Sequence, residues 1–324
     1  HYTSIENIHK VIDPLFLDGL KAELEEIKEI AVEKTRVSRL KAYQSKLAGL
    51  TFLDPACGSG NFLTESYISL RRLENDALRC QTNQITMGDY SNPIQVAIHQ
   101  FYGIEINDFA ATVAKTALWI AESQMLKETE DIIAHQIDFL PLKSYANITE
   151  GNALRLNWED VVSKEKLDYI MGNPPFVGAR LMDASQKSDV NLIFEGWKNA
   201  GNLDYVCCWY KKAADLMQGT EIRSALVSTN SVSQGESVAN LWKPLFEAGV
   251  HIDYAYRTFR WDSEAKIKAH VHCVIIGFSI APNHAGKILY FGDRAQIVQN
   301  INGYLLDADN VFVESRKKPI SDVP

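Results

Sequence analysis

The residues best suited to chemistry fall in two short stretches. The first, Asp54-Pro55-Ala56-Cys57-Gly58-Ser59-Gly60, follows a short apolar run and precedes a helical pattern. Glycines at a strand-to-helix turn let the backbone approach a ligand, and the start of the helix then faces it with unsatisfied N–H groups. A nucleotide-like cofactor suits that arrangement. The dinucleotide fingerprint G-x-G-x-x-G is not met, because Leu63 stands where the third glycine belongs. The acid closing the next apolar run, Glu105, can accept hydrogen bonds from both hydroxyls of a ribose. It lies 45 positions after Gly60, against about 20 in dinucleotide enzymes. S-adenosylmethionine fits better: its ribose suits Glu105, its carboxylate a helix N-terminus, and its ammonium and sulfonium an anion such as Asp54.

The second stretch is Asn173-Pro174-Pro175-Phe176, one glycine after the apolar run Tyr169-Ile170-Met171. Two prolines fix the backbone and remove N–H donors, so the loop exposes acceptors. The exocyclic amine of a nucleobase, or an amide, is a poor nucleophile because its lone pair is delocalised. Acceptors at the Asn173 side chain and the Pro174 carbonyl would favour a more tetrahedral nitrogen and aim its lone pair at a methyl donor. That is positioning and electrostatics rather than base catalysis. Phe176 offers a flat face for an extruded base, and such stacking contributes about 1–3 kcal/mol. A third stretch, Tyr254 to Lys268, interleaves aromatic residues with Arg257, Arg260, Lys266 and Lys268. This mixture suits a nucleic-acid strand, through Arg257, Phe259, Arg260 and Trp261, and equally a solvated hairpin.

These residues need a scaffold that brings loops to one edge. A long amphipathic helix is predicted between Gly19 and Leu47 from Leu20, Leu24, Ile27, Ala31, Leu40 and Leu47. Strand, turn and helix then alternate. Strands are predicted at 51–53, 101–106, 148–150, 167–171, 225–228, 251–256 and 271–278. Helices are predicted from Asn61, from a cap at Asn107 or Asp108 through Phe109, Val113, Ala117, Ile120 and Met125, and over 205–217 and 236–247. Residues 75–100 read as a polar insertion. This order implies a mostly parallel sheet with helices on both faces and a closing antiparallel strand at 271–278. The expected organisation is an N-terminal helical segment over 1–50, a core over 51–281 and a connector over 282–324.

Composition narrows the field. With 324 residues, 46% hydrophobic and 23% charged, the chain has ample length to bury a core and is not disordered. It begins with His1, so it is expected to be part of a longer polypeptide. No apolar run is long enough to span a membrane and no signal peptide is visible, so a cytoplasmic setting is expected. Five cysteines in no C-x-x-C pair and eight histidines without ligand spacing argue against disulfides and a metal site. His270 and His272 read as exposed strand positions. A net charge of −8 makes any basic face local, so weak and non-selective DNA binding by these residues alone is expected.

With both loops in view, the chain resembles the gamma-order amino-group DNA methyltransferases in their adenine-specific form. The D-P-A-C-G-S-G turn resembles that family's cofactor motif and N-P-P-F its catalytic motif. His1-Tyr2-Thr3-Ser4 resembles the cofactor-contacting segment that precedes the glycine turn. Gly151-Asn152-Ala153-Leu154 takes the place where an acid usually faces the cofactor's adenine; here an amide, Asn152, could pair with the adenine amine. Longer runs, N-P-P-F-V-G-A-R-L-M, L-D-Y-V-C-C-W-Y, S-T-N-S-V-S-Q-G-E and Y-R-T-F-R-W-D-S-E-A-K, are similar to the methyltransferase domain of MmeI-like (type IIL) restriction–modification enzymes.

The resemblance implies a Rossmann-like class I α/β fold with a seven-stranded sheet. It implies methyl transfer from S-adenosylmethionine to N6 of a flipped adenine in duplex DNA. Tyr2, Thr3, Asp54, Ala56, Gly58, Gly60, Glu105, Ile106 and Asn152 would hold the cofactor, and Asn173, Pro174, Pro175 and Phe176 the base. Flanking nuclease and target-recognition domains are implied as well. Methylation of RNA or of a protein glutamine amide is the near alternative, and a non-catalytic DNA-binding subunit the distant one. Intact Asn173 and Glu105 speak against the latter.

Overall fold

The computed structural model describes residues 3–81, 93–133, 146–261, 271–283, 286–292 and 294–314, excepting the side chains of Arg260, Trp261 and Val271. The chain forms two compact units. One consists mainly of His1–Asn173 with Ile222–Leu226, the other mainly of Pro174–Glu221 with the residues from Val227 onward.

The first unit opens with helix α1 (Ile5–Ile12), capped by the Ser4 hydroxyl, and a π-helical turn over Asp13–Leu17. Helices α2 (Asp18–Lys28) and α3 (Glu33–Gly49) replace the one long helix predicted over 19–47. Helix 2 buries Leu20, Leu24 and Ile27, helix 3 buries Leu40, Tyr43 and Leu47, and Ala31 is exposed in the break. A straight helix would carry the second stripe away from the first at 1.5 Å per residue. The break lets the two pack together, and the Tyr43 hydroxyl donates to the Leu20 carbonyl at 2.9 Å.

Five parallel strands follow: β1 (Phe52–Asp54), β2 (Phe101–Glu105), β3 (Asn147–Glu150), β4 (Tyr169–Gly172) and β5 (Arg223–Thr229), in the order β3-β2-β1-β4-β5. Register pairs Phe52 with Phe101 on one side and Tyr169 on the other. Their rings stack at 4.9 and 5.4 Å, giving three strands one aromatic ladder. Helix α4 (Asn61–Arg79) starts where predicted but runs into the supposed polar insertion. Just before that stretch Arg71 and Glu74 form a buried ion pair, and Glu74 reaches into it by accepting from the Gln95 and Val96 amides. Helix α5 (Asp108–Ile133) is capped by Asn107, whose side-chain oxygen accepts from Ala110 N at 2.9 Å. Its buried face is Ala111, Ala114, Leu118, Ala121 and Met125; of the predicted stripe Met125 is buried, while Phe109 is 75% exposed and Ile120 54%. Alanines let this helix approach the glycine turn closely, whereas the bulkier stripe would hold it off.

In the second unit, α6 (Ala184–Ile193), unread in the sequence, starts with a capping box between Asp183 and Gln186. Helix α7 (Cys207–Leu216) buries Cys207, Cys208, Trp209, Tyr210, Ala213, Ala214 and Leu216, and the Tyr210 hydroxyl meets the Ser228 hydroxyl at 2.8 Å. The strands are β6 (His251–Trp261), β7 (Val271–Ser279), β8 (Lys287–Phe291) and β9 (Arg294–Val298), in the order β7-β6-β8-β9. The antiparallel strand expected at 271–278 is β7, paired with β6. Strand 8 is parallel to β6, and β9 closes antiparallel to β8. The sheet therefore has nine strands where seven were expected, because part of the supposed connector supplies β8 and β9. The class, a mixed sheet within an α/β fold, is as expected. Among the described residues no helix is long and apolar enough to cross a membrane.

Candidate active site

In the first unit, the parallel strands place Asp54, Glu105, Asn152 and Asn173 at or just beyond their carboxyl ends, where open α/β sheets bind ligands. The glycine turn is held there by side chains. Gly58 N donates to Glu105 Oε2 and Asn107 N to Glu105 Oε1, both at 2.9 Å, while Cys57 N donates to the Ile104 carbonyl at 3.0 Å. One carboxylate thus joins the turn to the end of β2. Each of its oxygens, having accepted one N–H, keeps acceptor capacity for a hydroxyl.

Gly58 and Gly60 both have positive φ, +54° and +81°. A Cβ at Gly60 would lie 2.9 Å from Ala114 Cβ, so this position serves close packing of α5. A Cβ at Gly58 would point into open space, so there the glycine leaves the backbone accessible. Sequence pairs the two glycines, and the structure separates their roles.

Asp54 is 1% exposed, and its Oδ1 accepts from Ala56 N at 3.0 Å. Burial pushes its carboxyl up to about 8, against the pull of the Ala56 N–H and with help from the Glu105 charge. It therefore carries a proton at neutral pH, which a cation placed beside it would help to expel. A side chain at Gly172 would fall onto this carboxyl. The turn after β1 and the residue before Asn173 thus fit against each other, a relation sequence spacing does not reveal. Asn173 Oδ1 is buried and has no hydrogen-bond partner among the described residues. Such an atom costs stability unless something donates to it.

Asn152 follows Gly151, whose N–H donates to the Glu105 carbonyl at 2.8 Å, and its own Oδ1 accepts from Leu154 N at 2.9 Å. Ile106 is 67% exposed, leaving an apolar surface next to Glu105 in the chain. Ala56 is half-buried, Thr3 is buried just before α1, and Tyr2 lies outside the described residues.

In the second unit, Pro174 is buried, Pro175 exposed and Phe176 half-buried. The loop is fastened at Val177, whose N–H donates to Asp204 Oδ1 at 3.1 Å and whose carbonyl accepts from Tyr205 N at 2.9 Å. Asp204 escaped the sequence reading; its signal was an acid inside the apolar run Leu203-Asp204-Tyr205-Val206. Arg257 lies over the Phe291 ring at 5.2 Å and, with Ser233, Gln234, Gly235, Thr258 and Tyr304, lines an open hollow of about 250 Å³. Phe259 is half-buried, its ring 6.4 Å from that of Tyr256. The backbones of Arg260 and Trp261 pair with β7, and their side chains lie outside the described residues. His272 is exposed as expected, while His270 lies outside the described residues. Among the described residues no group of His, Cys, Asp and Glu is placed to hold a metal, and the five cysteines are unpaired.

The family described as "MmeI, DNA-methyltransferase domain" matches residues 28–291. The chain is 40% identical to DNA methyltransferase A of Bacillus subtilis (strain 168) over its whole length, which is 36% of that protein. It superposes on the type IIL restriction–modification enzyme MmeI, solved in complex with DNA, with a TM-score of 0.92 and 42% identity, covering all of this chain and 43% of that one. A nuclease-deletion mutant of the type ISP enzyme LlaGI shares the fold at a TM-score of 0.50 and 15% identity, over 92% of this chain and 24% of that one. The chain thus spans less than half of each of these relatives.

Proposed function

The chain belongs to the MmeI DNA-methyltransferase domain family, and on that premise we propose that it transfers a methyl group from S-adenosylmethionine to N6 of an adenine turned out of a DNA duplex. The observation that carries this reading is Asn173 Oδ1, just past the end of β4, buried and without a partner among the described residues. An acceptor held ready with nothing to accept suits a primary amine, which brings two donors.

The cofactor fits the residues present: the open face at Gly58, the acceptor capacity of Glu105 and the apolar Ile106 match a backbone-bound amino acid, a ribose and a base edge. Bound there, it supplies an electrophilic methyl group that leaves a neutral thioether behind. Thr3 and Tyr2, Asp54, Ala56, Gly60 and Asn152 complete that assignment. Asn173 Oδ1 and the Pro174 carbonyl accept the two amine hydrogens and hold the nitrogen lone pair in one direction, while Pro175 stiffens the loop and Phe176 stacks on the base. Arg257, Phe259, Arg260 and Trp261 contact the DNA strand. Target recognition and the nuclease belong to flanking segments of a longer polypeptide, and the setting is the cytoplasm.

The test is to incubate the protein with isotopically labelled S-adenosylmethionine and unmethylated bacterial DNA, and to identify the modified base. Label in N6-methyladenine supports the reading. Label in cytosine, in RNA supplied in parallel, or in protein would replace it.

A further inference from the structure

We infer that Asp204 is a positioning residue that sets the catalytic loop through the backbone of Val177. This inference rests on the reading above and concerns how Asn173-Pro174-Pro175-Phe176 is held. Two prolines delete two main-chain donors, so this loop cannot be fastened by a strand ladder at those positions. Its fastening comes one residue later. Asp204 Oδ1 accepts from both Val177 N and Val206 N, each at 3.1 Å, and the Thr229 hydroxyl donates to Oδ2 at 3.4 Å. One carboxyl therefore ties the loop, the approach to α7 and the end of β5 together.

The adjoining residue closes the clamp. Tyr205 N donates to the Val177 carbonyl at 2.9 Å, its hydroxyl donates to Asp189 Oδ2 at 2.8 Å on α6, and its ring meets Trp209 edge-on at 5.4 Å. Val177 is held at both its N–H and its C=O, next to Phe176. Asp204 is only 9% exposed. A buried acid needs such donors, and burial already raises this carboxyl above the usual carboxylate range. What the loop draws from it is one acceptor oxygen, Oδ1, at a fixed distance, and an amide oxygen of the same reach serves Val177 and Val206 equally well. The Thr229 contact is long and contributes least.

Length, not charge, is therefore the property to vary. Asp204→Asn keeps the Oδ1 acceptor in place; Asp204→Glu keeps the acid and displaces it by one methylene. Methyl transfer to unmethylated bacterial DNA is measured for both, with calorimetric affinity for S-adenosylhomocysteine and thermal unfolding as controls. Asp204→Asn is expected to keep kcat within about threefold of wild type. Asp204→Glu is expected to lose about 10–100-fold in kcat, a displaced loop costing on that order, with cofactor affinity and KM for the cofactor unchanged. Equal kcat for Asp204→Glu and wild type would overturn the inference, as would a loss in Asp204→Asn as large as in Asp204→Glu. A variant whose cofactor affinity falls with its kcat would show a general structural role and overturn it too. A wild-type protein that methylates no DNA removes the functional reading itself, and this inference with it.

Discussion

The two units support their functional residues in different ways. In the first, each one stands at or just beyond the end of a parallel strand, and its support comes from those same strand ends. Glu105 binds Gly58 in the turn that follows the neighbouring strand β1, and Asp54 accepts from a residue two positions on. In the second, support comes from outside any strand end: Val177 is held by residues 204 and 205, at the approach to α7. Even the hollow beside Arg257 depends on the 302–306 loop, where Asn302 Oδ1 accepts from Tyr304 N and Leu306 N and Leu305 takes a positive φ. A parallel sheet gathers strand ends by topology, whereas a loop that runs on past those ends must be braced individually.

That contrast can be broken first at Glu105. Glu105→Ala removes the proposed ribose acceptors and takes away the partners of the Gly58 and Asn107 amides. Affinity for S-adenosylmethionine is expected to fall by about 1.5–3 kcal/mol, the range for hydrogen bonds to a charged group. Calorimetry showing wild-type affinity would mean that the first unit does not hold its ligand through this acid.

The fold was legible where a pattern is local. Asp-Pro-Ala-Cys-Gly-Ser-Gly between an apolar run and a helical pattern placed β1 and the start of α4, and Asn107 announced α5. The helix face was misread because Phe109 and Ile120 are the larger apolar residues, yet alanines are what pack against a glycine turn. The break between α2 and α3 has neither Gly nor Pro to mark it; Tyr43 meeting Leu20 decides it, a tertiary event. Strands 8 and 9 were hidden because their residues are mostly exposed or half-buried, so the alternation that marks a strand is faint. The candidate site was legible as residue types and not as supports. Asp204, and the fit of Gly172 against Asp54, are contacts between segments that spacing does not connect.

Asp54 sharpens the comparison next. The folded chain holds its proton up to about pH 8, while the unfolded chain releases it near the ordinary carboxyl value of 3.8. Between those values the folded state binds more protons, so this group lowers stability as pH rises, by at most about 1.4 kcal/mol per pH unit. Asp54→Asn is always neutral, and its unfolding temperature is expected to fall less than wild type's from pH 5 to pH 8. Identical pH profiles would show that the carboxyl is not protonated in the folded state.

The smallest effect is expected in the second unit. Arg257→Ala is expected to weaken DNA binding a few-fold and to lower the slope of log affinity against log salt by about 0.9, one phosphate's worth. Arg257→Lys is expected to restore most of the slope. No change in slope would place the backbone contacts elsewhere.

The central claim is that Asn173 acts on the target amine and not on the cofactor or the fold. Single-turnover methyl transfer by Asn173→Ala, set beside calorimetric affinity for S-adenosylmethionine, tests it most directly. Transfer is expected to fall by about 10²–10³, the scale for removing one oriented group from a preorganised site, with cofactor affinity and unfolding temperature close to wild type. Transfer at the wild-type rate, or a loss of cofactor affinity that matches the loss of rate, would contradict it.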